Sequence, residues 1–184
     1  MSAAKPIAAV QGAASPEVQA LLRAFVARLG PQVRLAGVIE DPIVDADGPC
    51  SAGDLKSLSD GRRFAIMQDL GPSAGACRLD AGGVVTACEA VQAGVEAGCD
   101  LLVLSKFGKI EADRSGLAAA FADAMAAGVP ILTSVAPRFA DAWDRFAAPL
   151  YVILPPDLDA IEAWWRDIRP ANVRGSGGRT TLAL

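Results

Sequence analysis

Histidine is absent from this chain of 184 residues. Histidine is the side chain whose ordinary pKa lies nearest neutral pH, so acid–base catalysis here would need carboxylates, lysine or a metal held by oxygen ligands. The four cysteines, at positions 50, 77, 88 and 99, show no C-x-x-C spacing. Without histidine to complete a ligand set, this spacing argues against a typical zinc site and favours free thiols in a reducing cytoplasm.

Long apolar runs are also missing, since no stretch reaches the roughly 18 consecutive apolar residues of a membrane span. Residues 1–6 contain one lysine and no apolar core of a signal peptide. We therefore expect a cytoplasmic protein without membrane insertion. The net charge is −4 and the isoelectric point about 4.8, whereas nucleic-acid-binding domains are usually basic. Nucleic acid is therefore not an expected partner.

The hydrophobic fraction of 52% is high enough for a sizeable core. The length fits one domain, since domains commonly contain about 100–200 residues. We predict a single α/β domain over residues 1–170. Residues 171–184 are rich in glycine, arginine and threonine, a composition typical of a flexible tail.

The stretch Asp100–Ile110, D-L-L-V-L-S-K-F-G-K-I, organises the rest of the chain. Leu101–Leu104 is too short for a helix and apolar on both faces, as a central parallel strand is. Strands alternate with helices through most of the chain, which predicts a three-layer sandwich with a mostly parallel central sheet. The other predicted strands of this sheet are Ile7–Val10, Val33–Ile39, Ile131–Val135 and Tyr151–Leu154. The predicted helices begin after the caps Ser15 and Asp80, at Asp113 or Ser115, at Arg138 and at Leu158.

The Asp60-Gly61 pair is a strong hairpin signal between Asp54–Leu58 and Arg63–Met67. Because a hairpin interrupts the strand–helix alternation, we expect it to extend one edge of the sheet. The residues from Gln68 to Asp80 are predicted to form a loop. Cys88, Cys99 and Trp143 are expected to pack in the core.

The first candidate site follows the central strand. Ligands of open α/β sheets lie beyond the carboxyl ends of the strands. Ser105, Lys106, Gly108 and Lys109 stand at that position, and the two lysines suggest a site for an anion. The alternative is that the lysines are surface residues paired with Glu111 or Asp113.

The second candidate is the turn after strand one, with Gly12, Ala13 and Ser15. A P-loop would place G-x-x-x-x-G-K-[ST] there. Counted from Gly12, its second glycine and its lysine are replaced by Glu17 and Val18, so the motif is absent. A helix N-terminus can still bind an anion through its N–H groups and dipole. The alternative is a simple turn with Ser15 as the N-cap and Pro16 at the first helical position.

The third candidate is the loop containing Gln68, Asp69, Gly71 and Arg78. Arg78 could clamp an oxyanion with two parallel donors, and Asp69 could orient a lysine or hold a cation. The alternative is a structured turn in which Arg78 pairs with Asp80. Cys77 is more consistent with a small buried side chain than with a metal ligand. Arg138, which follows a strand, is expected to face the crevice beyond the carboxyl ends of the strands.

Several strings together resemble a bacterial family of uncharacterised function that is distantly related to P-loop nucleoside triphosphatases. They are Gly61-Arg62-Arg63, Gln68-Asp69-Leu70-Gly71, Cys77-Arg78-Leu79-Asp80, Lys106-Phe107-Gly108-Lys109 with Glu111, and Gly128-Val129-Pro130 with the Trp143 helix. Members of that family are often found with molybdenum-transport genes. The resemblance implies a P-loop-NTPase-like fold and a role in molybdenum handling.

Three functions are therefore open. The first is a non-hydrolytic protein that binds an oxyanion, either molybdate or the phosphate of a nucleotide. The second is an atypical magnesium-dependent nucleoside triphosphatase, in which Asp69 or Glu111 holds the metal and Lys106 contacts the γ-phosphate. The third is an interaction partner of a molybdenum transporter or cofactor-assembly enzyme. Trp164 and Trp165 are expected on the inner face of the last helix or in a subunit contact, and an interface made by that helix would suit this third function or a homo-oligomer.

Overall fold

The computed structural model describes residues 4–41, 54–68 and 78–169. The predicted C-terminal tail lies outside these residues. The strands are β1 Ile7–Val10, β2 Leu35–Asp41, β3 Asp54–Ser57, β4 Arg63–Phe64, β5 Met67–Gln68, β6 Arg78–Leu79, β7 Leu101–Leu104, β8 Ile131–Ser134 and β9 Tyr151–Leu154. The helices are α1 Ser15–Arg28, α2 Ala81–Glu96, α3 Lys109–Ala112, α4 Ala118–Ala126, α5 Ala140–Ala147 and α6 Leu158–Ile168, with a 3₁₀ turn at Pro137–Phe139.

Seven strands form one mixed sheet in the order β4-β3-β2-β7-β8-β1-β9. The five strands from β2 to β9 in this order are parallel, and the β3–β4 hairpin adds two antiparallel strands beside β2. The predicted α/β architecture and the edge hairpin are therefore confirmed. Such a sheet, mostly parallel and flanked by helices, is consistent with a P-loop-NTPase-like fold.

Strand β7 is the fourth of the seven strands in the sheet, and helices cover both faces of the sheet around it. Leu101 and Val103 face the core under α1 and α6, whereas Leu102 and Leu104 face the core under α2, α4 and α5. All four side chains are fully buried. A strand buried on both faces needs apolar residues at every position, which explains the uninterrupted apolar run.

Two predicted boundaries shift for local reasons. Strand β2 begins at Leu35 rather than at Val33, because the amide of Val33 closes a turn onto the carbonyl of Gly30. Helix α1 has Ala14 as its N-cap, and Ser15 is its first helical residue. The prediction that Ser15 caps the helix was therefore wrong by one position.

Three further predictions were too simple. The helix predicted from Asp113 or Ser115 begins only at Ala118, as α4. The short helix α3, which was not predicted, precedes it, and Arg114 and Gly116 between the two have positive φ angles. The helix predicted from Arg138 begins as a 3₁₀ turn. The second hairpin strand stops at Phe64, and β5 pairs instead with β6 in a separate two-stranded ladder within the predicted loop. The register of so short a ladder leaves little pattern in the sequence.

Other expectations are confirmed. Asp80 caps α2 by accepting hydrogen bonds from the amides of Gly82 and Gly83. Trp143 is completely buried and packs in a cluster with Phe107, Phe121 and Phe146. Within the described residues, no helix is long and apolar enough to cross a bilayer.

Glycine at position 37 allows β2 to approach β7 closely. Its φ is +118°, and a Cβ atom there would lie 1.9 Å from the carbonyl oxygen of Val103. Any larger residue must therefore push apart the two strands that carry the central part of the sheet.

We expect Gly37→Ala to lower the free energy of unfolding by about 2–5 kcal/mol, because it combines backbone strain with a main-chain clash. Gly61→Ala is the matched control, since Gly61 also has a positive φ, of +73°, but has nothing within 4 Å of an added Cβ. The control should lose only about 1 kcal/mol. Urea denaturation compares the two, and equal losses would contradict the proposed close strand approach.

Candidate functional site

A cavity of about 250 Å³ opens at the carboxyl ends of β1, β7 and β8. The β1–α1 turn contributes Gly12, Ala13 and Ser15 to its wall. Lys106 and Gly108 line it from the end of β7. Arg138 lines it from the 3₁₀ turn after β8. Six of the predicted site residues therefore lie around one space.

The β1–α1 turn is short and tightly held. Only the four residues 11–14 separate β1 from α1, fewer than an eight-residue P-loop needs to surround phosphates. Gly12 has a φ of +114°, and an added Cβ would approach the ring of Pro156 to 3.3 Å. The side-chain amide of Gln11 donates to the carbonyl of Val135, the residue that follows β8, and this hydrogen bond fixes the turn to the end of that strand.

The N-terminus of α1 has no side-chain cap. Ala14 offers no acceptor, and the first-turn N–H groups of a helix point outward along its axis. Together with the helix dipole, these amides favour a negative group at the turn. Pro16 has no N–H and Glu17 is an acid in the same first turn, so this end of the helix offers an anion the amides of Ser15 and Glu17 together with the dipole.

Lys106 forms an ion pair with Glu40 at the end of β2, with 2.6 Å between Nζ and Oε1. The predicted partners Glu111 and Asp113 were wrong, because β2 is the neighbour of β7 in the sheet and brings Glu40 alongside. The side chain of Lys106 is 53% exposed, and exposed ion pairs contribute little stability. An incoming anion can therefore compete with Glu40 for the ammonium group.

Ser105 acts through its backbone. Its carbonyl oxygen accepts hydrogen bonds from Gln19 Nε2 at 2.7 Å and from Ser134 Oγ at 2.8 Å. Ser105 is buried and does not line the cavity. Gln19 was not a sequence candidate, although a glutamine among the apolar positions of α1 was the available signal.

Glu111 is a buried structural residue. Its two carboxylate oxygens accept from the amide of Gly108 at 3.0 Å and from the amide of Leu117 at 3.2 Å. The carboxylate therefore closes the loop after β7 onto the start of α4. Lys109, the first residue of α3, is exposed and is not part of the cavity wall.

Arg138 lies over the ring of Phe139, with 5.0 Å from its guanidinium carbon to the ring centre. This cation–π contact holds a charge at the rim of the cavity without neutralising it. Arg138 is the second cation of the site after Lys106.

The third candidate loop is only partly described. Gln68 and Arg78 are paired residues of the β5–β6 ladder. Asp69, Gly71 and Cys77 lie outside the described residues. Within the described part of the chain, no group of three acidic, cysteine or histidine side chains is arranged to hold a metal.

Two cysteines have unreactive surroundings. Cys88 is buried and Cys99 partly buried, and burial raises the pKa of both thiols. A thiol with a raised pKa is a poor nucleophile and metal ligand near neutral pH. The expectation that both are packing residues agrees with this environment.

A larger cavity, of about 320 Å³, lies at the C-terminal ends of α1 and α6. Its arginines include Arg28, which is paired with Glu162 at 2.8 Å, and Arg166 in the last turn of α6. Basic residues in the last turn of a helix complement the negative end of its dipole, which itself disfavours an anion. We therefore place the candidate site in the smaller cavity.

Comparison with known proteins identifies the family. Residues 7–164 match the family described as "Protein of unknown function (DUF2478)". The chain belongs to this family. The sequence resemblance to a bacterial family of uncharacterised function is thus confirmed. No solved structure matches this DUF2478 chain.

One curated relative carries a functional name. Over 135 residues the DUF2478 chain is 40% identical to a Bradyrhizobium diazoefficiens protein named "Molybdenum import ATP-binding protein ModC 2". The match covers 73% of this chain but only 15% of that protein's length. The match supports a distant relation to P-loop nucleoside triphosphatases, and the relative's name is the link to molybdenum transport.

We expect Glu111→Gln to lower the free energy of unfolding by about 1–3 kcal/mol, because the new NH₂ group would face a backbone N–H donor and leave it unsatisfied. Glu96→Gln is the control, since Glu96 is exposed at the end of α2. It should change stability by less than about 0.5 kcal/mol. Thermal and urea unfolding measure the stability of both variants. Equal stability would contradict the structural role of the two hydrogen bonds that Glu111 accepts from Gly108 and Leu117.

Proposed function

We propose that this DUF2478 chain is a non-hydrolytic anion-binding protein that serves molybdenum handling. Its ligand is an oxyanion, either molybdate or the phosphate of a nucleotide, held in the cavity between the β1–α1 turn and the end of β7. The proposal includes a cytoplasmic location and a molybdenum-transport or cofactor-assembly protein as partner.

The observation that carries the proposal is the convergence of three positive features on one cavity. Lys106 and Arg138 supply two cationic side chains, and the uncapped N-terminus of α1 supplies backbone donors. These features come from three different segments, after β1, β7 and β8. Such an arrangement favours an anion, because cationic side chains, backbone N–H donors and the positive end of a helix dipole all attract negative charge.

The non-hydrolytic part of the proposal follows from what replaces the catalytic groups of P-loop enzymes. Those enzymes use a P-loop lysine and an acidic residue that positions magnesium. Here the turn is four residues long, and Ser105 and Lys106 follow the central strand. Glu111, one candidate metal ligand, is engaged by two backbone amides.

The alternative of a purely structural interaction partner has less support. Trp164 and Trp165 were its expected contact residues, yet each is only 6% exposed. Both pack on the inner face of α6 against the core shared with α1. Trp164 also donates its indole N–H to the carbonyl of Lys5 at 2.9 Å. These tryptophans stabilise the chain's own fold.

Calorimetric titration with molybdate, tungstate, sulfate, ATP and GTP tests the proposed function. We expect at least one of these anions to bind with a dissociation constant below the millimolar range. Lys106→Ala should weaken that binding at least about tenfold, since hydrogen bonds to charged groups contribute about 1.5–3 kcal/mol. Lys109→Ala, a lysine outside the cavity wall, should change it less than twofold. Absence of binding by every anion would refute the proposal.

Glu40→Gln should strengthen anion binding about 1.4- to fivefold, because it removes the internal carboxylate that competes for Lys106 at an energy of about 0.2–1 kcal/mol. Asp41→Asn is a matched control with the same change in net charge. Asp41 is the next residue of β2, but it pairs with Arg63 at 2.6 Å. The same calorimetric titration compares the two variants, and an equal gain in both would show a general charge effect instead of competition at Lys106.

A further inference from the structure

The geometry points to a narrower ligand class than the proposed function requires. We infer, on the basis of that function, that the cavity takes a phosphate monoester with an apolar or planar body and binds it without a divalent cation. A bare tetrahedral oxyanion, molybdate included, would be the weaker ligand.

The size of the cavity is the first reason. Its volume is about 250 Å³, whereas roughly 10–15 Å³ of such space is enough for one water molecule. The five heavy atoms of molybdate or phosphate would leave most of the cavity to water. Pockets for drug-sized ligands begin at about 300 Å³. A phosphate with a single ring system attached is therefore closer to the available space.

The chemistry of the wall is the second reason. Beside the cations, the wall contains apolar side chains from four segments: Val10, Val18, Phe107, Val135, Pro137 and Phe139. An inorganic oxyanion gains nothing from these groups. Val10, Val18, Phe107 and Val135 are already buried, so the surface that an apolar or planar body would remove from water belongs to Pro137 and Phe139.

The charges give the third reason. Among the described residues no aspartate or glutamate lines the cavity, so this part of the wall offers no carboxylate for magnesium. A phosphate monoester carries a charge of about −1.5 to −2 at pH 7. Lys106 and Arg138 match that charge once Lys106 is released from Glu40. A nucleoside triphosphate brings more negative charge than the two cations can balance and normally relies on magnesium for the rest.

Calorimetry on the unmodified chain in EDTA decides the matter with four probes: phenyl phosphate, inorganic phosphate, molybdate and ATP. We expect phenyl phosphate to bind at least tenfold more tightly than either inorganic oxyanion and more tightly than ATP. Replacing EDTA with magnesium should change its affinity less than twofold.

The failures of this inference and of the proposed function are distinguishable. If molybdate or inorganic phosphate binds as tightly as phenyl phosphate, the inference is overturned and the proposed function stands. Binding of phenyl phosphate only with magnesium also overturns the inference. If none of the four probes binds, the inference is overturned, and the titrations with tungstate, sulfate and GTP decide the proposed function.

Ala136→Leu adds a test of the apolar wall. Ala136 lines the cavity between β8 and Arg138, and a leucine there would occupy space needed by the ring without removing a charge. We expect phenyl phosphate to lose at least fivefold in affinity while inorganic phosphate changes less than twofold. Equal losses for both probes would contradict a separate place for the organic body. If this variant is unstable in thermal unfolding, the affinity ratio in the unmodified chain decides alone.

Discussion

The carbonyl oxygen of Ser105 joins the three elements that surround the cavity. Gln19 of α1 and Ser134 at the end of β8 both donate to it, and all three residues are buried. Buried polar groups are costly unless they are paired, so these bonds hold α1, β7 and β8 in one arrangement. The distance between the helix N-terminus and Lys106 depends on this contact more than on any surface charge.

The site combines a conserved architecture of the α/β class with altered chemistry at its edge. Parallel strands and a helix start still create a crevice where ligands of open sheets bind. The turn is too short to surround a polyphosphate, and a lysine paired with Glu40 follows the central strand where related enzymes place acids. These departures support the proposal that this edge of the sheet holds an anion without cleaving it.

The sequence predicted the parallel core because β7 and its neighbours are apolar at every position. It also placed the candidate site beyond the carboxyl ends of the strands, which lie at one edge of the sheet because the strands are parallel. The partner of Lys106 could not be predicted, because it depends on β2 being the neighbour of β7. The sequence did not show that Glu111 is buried. A glutamate three positions after a glycine gives the same sequence pattern whether its carboxylate accepts from backbone amides or faces solvent. Gln19 was overlooked for a similar reason.

The central claim is that the anion lies between the α1 N-terminus and Lys106, and its location can be observed directly. A ¹⁵N-labelled chain titrated with phenyl phosphate should show the largest amide shifts at residues 12–15, 17–18 and 106–108. Largest shifts instead near Arg28 and Arg166, at the opposite ends of α1 and α6, would contradict the account and place the ligand in the other cavity.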